Sequence, residues 1–285
     1  MAHHDYATDA LVSADWALEH LSDPNIRFVE VDVDTSIYEA GHLPGAVAWN
    51  WTSQLTDGLR RDIADRQQFS ELLQASGVGP DTLIVLYGDN QNWFAAWAYW
   101  QLHLYGHKRA KILDGGWKLW QARNLPTTTD VPTYARTTYE LAEPDFSHRA
   151  FRDDILPRVG DTTLSLVDVR SPAEFRGEVL APPGLSETAQ RAGHIPGAVS
   201  VPWAQTVGED GTFKSAADLK ALYAANGVTE DDDIITYCRI GERASHTWFV
   251  LHELLGYPRV RNYDGSWTEW GSMINVPIEK SPAPA

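Results

Sequence analysis

The stretch Gly41-His42-Leu43-Pro44-Gly45-Ala46-Val47 returns 152 positions later as Gly193-His194-Ile195-Pro196-Gly197-Ala198-Val199, with six of seven residues identical. An internal repeat of this length in a chain of 285 residues points to two copies of one domain rather than a single large one. Further echoes agree. Leu113-Asp114-Gly115-Gly116-Trp117 is answered at offset 150 by Tyr263-Asp264-Gly265-Ser266-Trp267, and the apolar run Leu83 to Tyr87 by Ile234 to Tyr237. Val31-Asp32-Val33 pairs with Val167-Asp168-Val169 at offset 136, so the second copy carries 152 − 136 = 16 extra residues. The Pro/Gly-rich stretch Gly177 to Arg191 accommodates them as a surface loop. Leu125 to Ser147, with Pro126, Pro132, Pro144 and a threonine run, lacks sustained apolar periodicity and reads as a linker. The expected organisation is a first domain over 1–124, a linker over 125–147 and a second domain over 148–285.

Each copy alternates short β-branched runs with amphipathic stretches, the pattern of an α/β domain in which a mainly parallel sheet is covered by helices. In the first copy Ser13 can cap a helix through Leu21. Arg27 to Val33, Leu83 to Tyr87 and Ile112-Leu113 read as strands, and Phe69 to Ala75, Trp93 to Tyr105 and Trp117 to Ala122 as helices. The Trp93 to Tyr105 segment is so rich in aromatics that it must pack on several sides. In the second copy Thr163 to Val169, Ile234 to Tyr237 and Val260 to Tyr263 read as strands. Ala216 to Ala225 and Ser245 to Leu255 read as helices, with Gly227 and Gly256 as C-terminal stops.

Charge and cysteine content narrow the chemistry. With 23 Lys plus Arg against 39 Asp plus Glu the net charge is −16, which disfavours nucleic acid and anionic lipid as partners. No stretch approaches the roughly 18 apolar residues of a membrane span, and Met1 to Ala10 has no basic region followed by an apolar one, so the expectation is a soluble, cytoplasmic protein. A single cysteine among 285 residues excludes an internal disulfide and a multi-cysteine metal site, leaving packing or thiol chemistry for Cys238.

Cys238 follows the buried-looking strand Ile234 to Tyr237 and precedes a helix, at the carboxyl end of a strand where α/β sheets place active sites. The loop Cys238-Arg239-Ile240-Gly241-Glu242-Arg243 contains a glycine able to turn successive N–H groups toward one point, a cradle for an anion. The helix N-terminus, the converging N–H groups and the cations of Arg239 and Arg243 are expected to favour the thiolate. A reactive cysteine is predicted. Aligning Tyr87 with Tyr237 puts Gly88 opposite Cys238, so the first copy has no nucleophile. His42 and His194 recur in both copies and read as fold-holding turn residues, His246 as surface or packing, Asp168 and Arg170 as a structural pair, and Asp231 to Asp233 as a solvated turn. His3-His4 receives no function. The tryptophans Trp93, Trp97, Trp100, Trp117 and Trp120 read as packing.

These features resemble the tandem-domain rhodanese family of thiosulfate sulfurtransferases, in particular its actinobacterial members. The marks of the resemblance are His42-Leu43-Pro44-Gly45-Ala46 after Tyr38, the signature Val260-x-x-Tyr263-Asp264-Gly265-Ser266-Trp267-x-Glu269-Trp270, and the loop Cys238 to Arg243. The resemblance implies two rhodanese-like α/β domains with only the second catalytic, the pocket at their interface, and Cys238 carrying a persulfide from a sulfane donor to a thiophilic acceptor. A Cys-x4-Arg loop fits sulfur in this family, whereas related phosphatases use a longer loop, and Arg239 favours thiosulfate over 3-mercaptopyruvate. The implied reaction moves the outer sulfur of thiosulfate through Cys238 to cyanide or a thiol, releasing sulfite, with no metal or organic cofactor. The implied binding residues are Arg243, Arg239, Gly241, Ile240 and Glu242. The animal enzymes have Lys where this chain has Ile240 and Thr where it has Arg243. A substrate arginine of theirs aligns by spacing with Glu174, with Arg170 and Arg176 nearby as possible pocket residues. A 3-mercaptopyruvate sulfurtransferase, a cysteine-dependent phosphatase and a non-enzymatic persulfide carrier share the loop logic and remain as alternatives.

Overall fold

The computed structural model describes residues 5–181 and 187–281, which divide into two compact units. One comprises Asp9–Asp145 with Glu209–Phe213, and the other comprises 5–8 with Phe146–Gly208 and the chain from Lys214 onward.

In the first unit the strands are β1 (Leu11–Val12), β2 (Ile26–Asp32), β3 (Val47–Asn50), β4 (Leu83–Tyr87) and β5 (Ala110–Leu113). They form one sheet in the order β1-β5-β4-β2-β3, every neighbour parallel, with Ile26 opposite Leu83 and Val29 opposite Val47. The helices are α1 (Ala14–His20), α2 (Ser36–Ala40), α3 (Trp51–Gln54), α4 (Arg66–Ala75), α5 (Trp93–Leu104) and α6 (Gly116–Ala122). Ser13 caps α1 by accepting the Trp16 N–H, as its position in the sequence suggested. Helix α5 is buried almost throughout, from Phe94 to Leu102 and again at Leu104, which is why its apolar residues show no single stripe. The core on one face joins Val12, Phe28, Val85, Tyr87, Trp117 and Trp120. Short strands β1 and β3 and helices α2 and α3 escape a sequence reading because two to five residues complete no period.

The second unit repeats the plan. Strands β6 (Leu164–Asp168), β7 (Val199–Ser200), β8 (Asp233–Tyr237) and β9 (Val260–Asn262) form a parallel sheet in the order β7-β6-β8-β9, the counterpart of β3-β2-β4-β5. Where the first unit has β1, the second has, among its described residues, a parallel bridge between Arg149 and Asn262. Its helices are α7 (Arg152–Ile155), α8 (Pro172–Arg176), α9 (Ala216–Ala225), α10 (Glu242–Phe249) and α11 (Ser266–Trp270). Gly227 and Gly256 adopt φ of +74° and +72°, the left-handed geometry of a helix stop. Helix α10 starts at Glu242, three residues before the expected Ser245, and continues through a π-helical stretch at Val250–Leu254. The loop after Cys238 is therefore shorter than the sequence suggested, and Glu242 and Arg243 occupy the first helical turn.

The repeated histidines hold turns. His42 donates from Nδ1 to the Tyr38 carbonyl and stacks on the Tyr38 ring; His194 does the same with Phe175. Each also exchanges two backbone hydrogen bonds with a later segment of its own unit, His42 with Thr128 and His194 with Glu279. The segment 125–145 follows this clip as an extended strap on the first unit, where Tyr134 donates to the Gly45 carbonyl and Thr137 to that of Val78. The insertion Gly177 to Arg191 lies partly outside the described residues. Its C-terminal flank is anchored, with Ala189 buried and the Arg191 carbonyl accepting from the Trp267 indole.

Candidate active site

Strand β8 is buried from Ile234 onward and delivers Cys238 at its carboxyl end with the side chain fully enclosed. Gly241 then takes φ +102°, and this left-handed turn aims its N–H back at the sulfur, 3.1 Å away. The Ala244 N–H also faces Sγ. The thiol donates to Glu242 Oε2 at 3.3 Å. Two further bonds hold the loop in this curve. Ser245 Oγ donates to the Gly241 carbonyl, and Asn262 Nδ2 donates to Ser245 Oγ.

From the other side, helix α11 fixes the backbone of Cys238. The Cys238 N–H donates to Ser266 Oγ at 3.0 Å, and that hydroxyl donates onward to the Tyr263 carbonyl. The Trp267 and Thr268 N–H groups donate to the carbonyls of Cys238 and Arg239. Ser266 sits at φ +52°, an uncommon conformation for a serine, held because its hydroxyl bridges two strand ends. The sequence reading passed over Ser266. Its signal was available, because Ser266 and Gly116 differ at the one point where the repeated Asp-Gly-x-Trp motif has to serve a cysteine in one copy and a glycine in the other.

The expected thiolate is not favoured in this enclosure. Burial pushes the Cys238 thiol up to about 11, and the neighbouring Glu242 carboxylate pushes the same way, against Arg243 and the N–H groups of Ala244 and Gly241. The sequence reading counted the cations and the N–H groups but neither the full desolvation nor the carboxylate on the sulfur. Arg243 lies on α10 with its guanidinium bonded to both oxygens of Glu174 at 3.1 and 3.2 Å and its Nε 3.5 Å from Glu242. Burial opposes its charge, but Cys238, Glu242 and Glu174 hold its pKa above the usual range. Burial would raise Glu174, yet Arg243 and the capping bonds from Ser171 keep it below the ordinary carboxylate value.

Among the other sequence-selected residues, Gly241, Glu242 and Arg243 converge on Cys238, and Ile240 is buried beside them. Arg239 is nearly enclosed, bonds to the Glu187 carbonyl and stands 4.0 Å from Glu242. Arg170 grips Asp168 through Nε and Nη2, donates to the Gly193 carbonyl and lies over the Trp267 ring. Arg176 pairs with Glu178 on a partly exposed surface. His246 packs edge-on against Trp203, and burial pushes its pKa down to about 3, leaving it neutral. Asp233 is tied to Arg158 and Arg261, so that end of the Asp231 to Asp233 turn is paired.

The Rhodanese-like domain model matches residues 13–123 and again residues 152–273, the second stretch containing the strand tip that carries Cys238. The chain belongs to the rhodanese family. Among curated relatives of this rhodanese, a "putative thiosulfate sulfurtransferase" of Mycolicibacterium smegmatis is 54% identical over 95% of this chain and 98% of its own. The sulfur carrier protein TtuD of Thermus thermophilus is 50% identical over 95% of this chain and 97% of its own. Among solved structures, the 3-mercaptopyruvate sulfotransferase SseA of Escherichia coli superposes with a TM-score of 0.78 at 29% identity, covering 91% of this chain and 99% of SseA. No helix among the described residues is long and apolar enough to cross a membrane.

Proposed function

We propose that the protein is a thiosulfate sulfurtransferase in which Cys238 carries the sulfur. The observation that bears this reading is the sulfur cradle itself, where one enclosed thiol accepts the Gly241 N–H and has a carboxylate 3.3 Å away to receive its proton. Glu242 takes the proton of Cys238, and the thiolate attacks the outer sulfur of thiosulfate. The new bond joins Cys238 Sγ to that sulfur. The old sulfur–sulfur bond breaks with its electron pair on the departing sulfite, and the proton on Glu242 returns to solvent or to sulfite. The persulfide anion left behind is stabilised by the Gly241 and Ala244 N–H groups, as an oxyanion hole stabilises oxygen. A thiol or cyanide then takes the sulfur and regenerates Cys238, a two-stage relay with ping-pong kinetics. Arg243, with Arg239, supplies the positive charge that faces the sulfonate.

The intact mass of the protein before and after incubation with thiosulfate tests this. A gain of one sulfur atom that cyanide removes, absent in Cys238→Ser, is expected, together with steady turnover in the wild type. A wild type whose mass does not change overturns the reading. Loading without turnover to cyanide or small thiols favours instead the persulfide carrier, the role named for the Thermus thermophilus relative.

A further inference from the structure

The charge around Cys238 is balanced by a residue outside the loop. Arg243, the cation nearest the sulfur on α10, is bonded bidentately to Glu174 on α8 and lies against Glu242. The other charged groups of the cluster are Arg239, 4.0 Å from Glu242, and the buried Arg170, which Asp168 neutralises across 2.5 Å. Among the described residues Arg243 and Arg239 are therefore offset by Glu242 and Glu174, which weakens the pull they exert on a dianion. Nothing in the fold of α8 requires a charge at 174. Its capping box needs only a side-chain oxygen there, to accept from the Ser171 N–H and hydroxyl.

We infer that Glu174 sets donor choice by charge: its carboxylate offsets Arg243 and biases Cys238 away from strongly anionic donors toward less charged ones. Glu174 acts through Arg243 and touches no reacting atom, so it is a positioning residue. The inference rests on the proposed chemistry only in taking Cys238 as the reacting group. A glutamine at 174 keeps the cap and can still accept one guanidinium N–H, while removing one full negative charge from a dry cluster. In such surroundings a unit charge several ångströms away changes the partition of an anion by about tenfold.

The test compares alkylation of Cys238 by iodoacetate, an anion, and iodoacetamide, a neutral molecule of nearly the same size. Any change in thiol pKa or in local opening alters both rates alike, so their ratio reports the field felt by the incoming reagent. In Glu174→Gln the iodoacetate-to-iodoacetamide ratio should rise about tenfold, and the KM for thiosulfate should fall severalfold. In Glu174→Asp, which keeps the charge and shortens the arm, the ratio should stay within about twofold of the wild type. An unchanged ratio in Glu174→Gln, parallel changes in both reagents, or an equal rise in Glu174→Asp would each overturn the inference. A protein that never loads sulfur but shows the ratio change refutes the sulfurtransferase reading and leaves the charge effect standing.

Discussion

The two copies put opposite solutions at the same point of the same sheet. In the second unit the N–H of Cys238 is bridged to the Tyr263 carbonyl by the Ser266 hydroxyl. In the first, the N–H of Gly88 is bridged to the Leu113 carbonyl by the side-chain amide of Asn92, which accepts from one and donates to the other. The flanking bond is unchanged, with the Trp267 N–H on the Cys238 carbonyl and the Trp117 N–H on that of Gly88. The two bridges exclude each other, because a Cβ at Gly116 would lie 2.4 Å from Asn92 Oδ1. Asn90, Gln91 and Asn92 all take positive φ to place that amide, where the second copy needs only Gly241. The first loop thus spends its residues on closing the strand ends, whereas the second frees them to surround a sulfur. The glycine at 88 and the asparagine bridge go together, as do the cysteine at 238 and the serine bridge.

A second difference lies beneath the loops and gives the largest expected effect on stability. Asp168 is held by Arg170, but its counterpart Asp32 has no arginine two residues on, and it shares a buried site with Glu30. Burial raises Glu30 to about 7, with the Asp89 charge pushing the same way against the neighbouring Tyr87 and Asp32 side chains, and burial raises Asp32 to about 10. Tyr38 on α2 also faces Glu30. A carboxyl raised on folding contributes stability in its protonated form. The contribution of Glu30 is complete below its unfolded value of about 4.5 and is lost as pH rises through about 7. About 3 kcal/mol is involved. Thermal unfolding from pH 5 to 8 should show a marked decline, to which Asp32 contributes as well, and the decline should be shallower in Glu30→Gln. An equal decline in that variant would break the contrast between the two carboxyl sites.

Refilling the first loop gives the next effect. A Cβ at Gly88 would lie 2.5 Å from the Val31 carbonyl oxygen and 2.9 Å from Asp32 Oδ1, so Gly88→Cys should cost about 2 kcal/mol and take up no sulfur. Denaturant unfolding and intact mass after thiosulfate treatment check both parts, and a second sulfur adduct would show that the first copy lacks only its cysteine. The smallest effect is expected from Ser266→Gly, which gives the second copy the first copy's residue without its asparagine. The Cys238 N–H loses its acceptor, at a cost of about 1 kcal/mol, and single-turnover sulfur loading should slow about tenfold while the fold persists. Unaltered loading would mean that the cradle on the helix side alone positions the sulfur.

The long elements were legible because burial writes a period into them. Leu83 to Tyr87 and Ala216 to Ala225 were located to the residue. The cradle was legible through Gly241, whose left-handed turn at the start of α10 aims its N–H at the sulfur. What the sequence could not show is pairing across distance. Glu174 reaches Arg243 from 69 residues away, and the desolvation of Cys238 depends on everything packed around it. Short strands such as β3 and β7 owe their existence to neighbours rather than to their own residues.

The clip between each His-x-Pro-Gly turn and a segment that follows its last helix has an evolutionary consequence. His42 is met by Thr128 and His194 by Glu279, at nearly the same spacing, so the ancestral domain already ended in a returning tail. The duplicated stretch of coding sequence had to run past that tail, since a copy cut at the last helix would have left its turn unclosed. The proline-containing run from Leu125 to Thr128 is then the counterpart of the stretch leading to Glu279, and belongs to the first domain's own ending.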